Sequence, residues 1–176
     1  MSRSAALLQL FDGMERDRLA LYARLDPLSE TALAAEPAPG KWSVAQVITH
    51  LAIAEEGALA YLLKKRDLGA HGPVPLSARW RMAALRAALY LPFKYNAPAV
   101  VATVPSTSCS VAMERWAAVR NAMRSTYVSI PESEVGHDLF KHPIVGKFDL
   151  IQSVKFMHHH MRHHEKQIER TLRSVK

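Results

Sequence analysis

Four long amphipathic stretches separated by proline-marked connections constrain the fold of this chain more than any other feature. The first runs from about Ser4 to Leu25 and stops at Asp26-Pro27. A linker with Pro37, Pro39 and Gly40 leads into KWSVAQ. There Ser43 can cap a second helix while Gln46 reaches back to the cap, and Trp42 can staple onto Val47. That helix continues to about Arg66. Residues 67 to 107 form a long crossover with a shorter helix, about Ser77 to Leu91, and an irregular stretch, PFKYNAPAVVATVPSTS. A further helix spans about Ser108 to Ser129. The loop from Pro131 to Lys147 runs into KHPIVGKFD, whose Asp149 can cap a last helix to about Ser174, with Gln152 as its partner. There is no strand pattern, internal repeat or low-complexity segment. The expectation is an all-α, four-helix bundle without a sheet, its long crossover containing a short extra helix. A length of 176 residues suits one such domain, spanning residues 1–176.

No run reaches the eighteen or so apolar residues of a membrane span, and no N-terminal stretch resembles a signal peptide. The lone Cys109 excludes an intrachain disulfide, so the chain is expected to be soluble and cytoplasmic. Lys and Arg number 23 against 16 Asp and Glu, a net charge of +7. The positive residues are scattered along all the helices, and no aromatic residues interleave with them to stack bases. A solvated basic face is therefore expected, rather than a nucleic-acid interface.

Five of the nine histidines fall within seven positions, in HHHMRHHEKQ from His158. Which way each points follows from the helical period. With His160 set to zero and about 100° per residue, Leu150, Val154, Met157, Met161, Ile168 and Leu172 fall between roughly 60° and 120°. Lys155, Arg162, Lys166, Arg170 and Arg173 fall between roughly 200° and 280°. His159 and His163 then lie on the solvated side. His160 and His164 lie on one flank of the apolar arc, where Gln167 and Thr171 continue the stripe. An i, i+4 pair places two side chains one turn apart on one face, near enough to hold one ion. The inward pair is His160 and His164, although two hydrogen-bonded boundary histidines would show the same spacing. His158 falls at the other border of the arc.

A third ligand must come from elsewhere, and His50 is the candidate. It sits at the edge of the apolar arc of Val44, Val47, Ile48, Leu51, Ala58 and Leu62, with Ala54 and Gly57 leaving room around the ring. A packed core histidine would occupy the same position. Glu55 falls inside that apolar arc, so its carboxylate needs a partner. Pairing with an arginine is the expectation, and support of a metal ligand is the alternative.

KWSVAQVITHLAIAEE and HPIVGKFDLIQSVKFMHHHMRHHEKQIERTL resemble the second and last helices of the DinB/YfiT-like superfamily, where HxxxHxxQI follows an HPxxG-type loop. The resemblance implies a four-helix bundle, often a homodimer, whose three histidines hold a divalent ion. Carried over position by position, the ligands are His50, His160 and His164, and Gln167 matches the glutamine beside the pocket. The ligand set does not distinguish nickel, zinc, iron or manganese. The superfamily includes transferases that use low-molecular-weight thiols, a thiol-dependent isomerase and proteins assigned as metal-dependent hydrolases. A metal-dependent enzyme acting on a small molecule is therefore expected, with a non-catalytic metal- or ligand-binding module as the alternative. A general base is not evident, and neither Glu55 nor Glu165 is assigned that role.

Overall fold

A computed structural model of the chain describes residues 1–69, 71–75, 104–142 and 146–175, together with the isolated positions 77, 80, 81, 83 and 84. The long helices are α1 (Arg3–Leu25), α3 (Val44–Asp67), α4 (Cys109–Ser129) and α5 (Leu150–Ser174). A short α2 (Glu30–Ala34) lies in the first linker. The expected crossover helix, about Ser77 to Leu91, lies outside the described residues apart from those isolated positions. Among the described residues, no helix is long and apolar enough to cross a membrane.

The helix starts are set by side chains that satisfy otherwise orphaned backbone N–H groups. Ser43 Oγ accepts from the Gln46 amide at 3.2 Å, and Gln46 Oε1 accepts from the Ser43 amide at 2.9 Å. Asp149 and Gln152 form the same reciprocal box at 2.7 and 3.0 Å. Two further starts are held from a distance. Glu132 accepts from the amides of Arg3 and Ser4 at the start of α1, and Glu30 accepts from those of Cys109 and Ser110 at the start of α4. Each carboxylate sits where the helix dipole favours negative charge, and each ties a connection to a helix it does not follow.

The helix directions follow from residue pairs. Asp17 meets Arg162, and Arg24 meets Glu165 and Glu169, so α1 and α5 run parallel. Glu56 meets Arg115 and Arg66 meets Glu134, so α3 and α4 also run side by side in one direction. Phe11 packs on Tyr127 and Tyr22 donates to the Met113 carbonyl, which makes α1 antiparallel to α4. Neighbouring parallel helices cannot be joined by a tight turn, so the order up, down, down, up requires a long connection between α3 and α4.

The core lies between these four helices. Leu7, Phe11, Met14 and Leu21 meet Val47, Ile48 and Leu51, Trp116 and Met123, and Val154, Met161 and Ile168. The arc expected for α5 is the one that is buried, with Leu172 packed at its edge. Burial of Trp116 without residual exposure makes its truncation costly, about 3–5 kcal/mol for a large aromatic in a core.

The structure corrects one expectation. The loop before α5 contains a small antiparallel hairpin, β1 (Phe140–His142) and β2 (Gly146–Phe148), with Phe140 paired to Phe148 and His142 to Gly146. Gly146 takes a φ of 85°, which an L side chain rarely adopts. Strands of three residues offer too short an alternation to be read as a period. They form because Phe140 and Phe148 can bury together against Ala58, Val74 and Phe156.

Candidate metal centre

His50 lies in the second turn of α3, and His160 and His164 lie one turn apart near the middle of α5. The antiparallel packing of α3 on α5 brings all three together, their ligand atoms within 4.8 Å of one another. The Nε2 of His160 stands 3.4 Å from the Nε2 of His50 and 3.1 Å from the Nε2 of His164. His50 and His164 are only 5% and 8% exposed, and His160 is half-buried.

One ordinary hydrogen bond does not account for this arrangement. An imidazole nitrogen carries one hydrogen or one lone pair, directed in the ring plane, so His160 Nε2 makes one well-aligned bond of this kind. Two ring nitrogens approach it. Nitrogens bound about 2.1 Å from a divalent ion, at angles of about 90° to 110°, stand about 3.0–3.4 Å from each other. The two separations at His160 fall in that range, all three ligand atoms lie within 4.8 Å of one another, and three neutral imidazoles form a donor set suited to such an ion.

The surroundings orient the rings. Gln167 Oε1 lies 2.9 Å from His164 Nδ1, so that nitrogen donates and the Nε2 lone pair faces the centre. Trp42 covers His50 with ring centroids 4.9 Å apart, and Phe156 stacks on His160 at 5.7 Å with 16° between planes. Burial, reinforced by the neighbouring imidazoles His164 and His50, holds His160 well below the usual histidine range. Burial first, and then His50, lowers His164 to about 3. Both rings therefore stay neutral at pH 7, the state that ligates.

The other expected residues separate as the helical phase implies. His163 is exposed and His159 is half-buried, neither belonging to the convergent set. His158 lies 2.7 Å from Asp17 at the α1–α5 boundary. Glu55 pairs with buried Arg120, whose Nη2 lies 2.7 Å from Oε1, and accepts from Trp116 Nε1 at 2.8 Å. Glu165 pairs with Arg24 at the surface. Cys109 starts α4, but burial and the Glu30 carboxylate push its thiol up to about 11, so it is a packed residue and not a nucleophile.

The sequence patterning gives Trp42 a stapling role and gives none to Phe156 or His142. Phe156 lies one turn before His160 on the same stripe, so helical spacing alone points to it. His142 touches Phe156 edge-on at 4.8 Å, a contact between the hairpin and α5 that no local spacing encodes.

A helical bundle that gathers three imidazoles from two facing helices has the layout in which metal sites are built in bundle cores. The chain belongs to the DinB superfamily, whose family profile matches residues 14–168. No curated protein and no solved structure matches the chain.

Proposed function

We propose that the protein is a divalent-metal-dependent enzyme acting on a small molecule, with His50, His160 and His164 as the metal ligands and Gln167 as the residue that orients His164. The convergence of three imidazole nitrogens at ligand spacing carries this reading. Three histidines leave coordination positions open, as catalytic sites do. A bound ion there supplies Lewis acidity, either to a water for hydrolysis or to a low-molecular-weight thiol for transfer. The chain's own residues hold the site. Gln167 fixes the tautomer of His164, and Trp42 and Phe156 confine the rings of His50 and His160.

Elemental analysis of protein purified without metal-affinity resin tests the metal assignment. About one equivalent of a transition metal is expected, and failure to retain or take up any metal overturns the reading. Assays of the loaded protein with an electrophile plus a small thiol, and with a panel of ester and amide substrates, test the catalytic part. Full metal occupancy without turnover in either would leave a metal- or ligand-binding module.

A further inference from the structure

A three-histidine centre still needs a group that contacts whatever occupies the open side. The carboxylates nearest in sequence are committed elsewhere: Glu55 to Arg120 and Trp116, and Glu165 to Arg24. The β1–β2 hairpin brings a further imidazole, His142, against Phe156, the ring that covers His160. His142 is half-buried and lies edge-on to Phe156 at 4.8 Å and 79°, while Phe156 stacks on His160. Unlike the three candidate ligands, it comes from outside the two helices that supply them. Its register position explains how it is held: His142 pairs with Gly146 in the hairpin, on the same face as buried Phe140 and Phe148, while Lys141 and Lys147 point the other way.

We propose that His142 is the ligand-contacting imidazole of this centre, hydrogen-bonding a small molecule whose polar donor atom takes a coordination position left open by His50, His160 and His164. The inference rests on the proposed metal site. It adds the substrate class that fits these surroundings, a thiol, hydroxyl or carbonyl compound whose apolar part lies along Phe156. His142 adjoins the site from the hairpin, so it is a contact residue for the bound molecule and not a fourth protein ligand.

The test uses full-length protein freed of metal by chelation and reloaded with one equivalent of cobalt(II), then titrated with 2-mercaptoethanol and followed by the sulfur-to-cobalt absorption. His142→Ala is expected to keep the cobalt stoichiometry and raise the dissociation constant for the thiol about five- to tenfold, the loss of one hydrogen bond to a polar ligand. His142→Phe preserves a ring against Phe156 and should show the same weakening with a melting temperature near that of the wild type. His142→Gln retains a donor and should recover much of the affinity. Unchanged thiol affinity in His142→Phe overturns the proposal, as does loss of cobalt from it, which would make His142 a metal ligand. Wild-type protein that takes up no cobalt at all fails differently, because it removes the three-histidine site itself.

Discussion

His164 Nδ1 stands 2.9 Å from Gln167 Oε1, three residues further along the same helix. This bond selects the tautomer of His164 whose Nε2 lone pair faces His160 and His50. Partners of this kind are worth about 10–100-fold in metal affinity. Gln167→Ala should therefore weaken zinc or nickel binding by about that factor in a competitive chelator titration, with little change in far-ultraviolet circular dichroism. Equal affinities would remove Gln167 from the site.

His159 and His163 repeat the i, i+4 spacing of His160 and His164 about 100° away on the helix. The convergent set contains only the latter pair, with His50, among the described residues. Replacing His159 and His163 together by alanine should leave metal content near one equivalent. The double replacement of His160 and His164 should abolish it. Equal losses from both pairs, measured by elemental analysis, would mean that α5 is rotated from its observed packing.

The buried ion pair between α3 and α4 should behave as a structural element. Glu55 and Arg120 are 2% and 1% exposed, and Trp116 donates to the same carboxylate. Removing one partner of such a pair strands a buried charge and costs about 3–5 kcal/mol. Glu55→Ala should lose stability of that order in urea denaturation, measured on metal-free protein. A loss below about 1 kcal/mol, the value of an exposed pair, would contradict the burial.

The carboxylate at the start of α1 should give the stability an acid-sensitive component. Hydrogen bonds from Ser4 and the Arg3 amide hold the exposed Glu132 down from 4.5 to about 2. Because the folded-state value is the lower one, the unfolded chain takes up this proton first. The contribution is complete above about pH 4.5 and is lost as pH falls toward 2. Glu132→Gln should be less stable than wild type at pH 7, and the difference should shrink through that window. A difference independent of pH would show that the charge is not what holds the helix start.

Much of this was legible in the chain because it is local. Capping boxes announce α3 and α5 within four residues each, and the 3.6-residue period separates His160 and His164 from His159 and His163. Helical phase makes His50 a candidate and the resemblance selects it, since no spacing within α3 says which helix lies opposite. The hairpin, the Glu30 and Glu132 caps and the contact of His142 with Phe156 join residues far apart in sequence, and their strands and caps are too short to leave a period. The arginine partner of Glu55 lies in between: a carboxylate inside an apolar arc demands a partner, but only the packing of α4 on α3 shows that it is Arg120.

His50 carries the link from fold to function, because it alone ties α3 to the pair on α5. If the three histidines share an ion, that ion bridges two antiparallel helices, and the unfolded chain offers no comparable arrangement. Metal then stabilises the native state by mass action, about 2.7 kcal/mol at a hundredfold excess over its dissociation constant. Added zinc or nickel should raise the melting temperature of wild-type apoprotein. His50→Ala should weaken metal binding and remove most of that rise. A histidine that only packed against Trp42 would behave otherwise, since its replacement would lower the melting temperature of the apoprotein and leave the metal-induced rise intact. Scanning calorimetry of both proteins with and without metal separates the two. Full metal content and a full thermal shift in His50→Ala would refute the three-histidine site, and with it the main support for a metal-dependent enzyme.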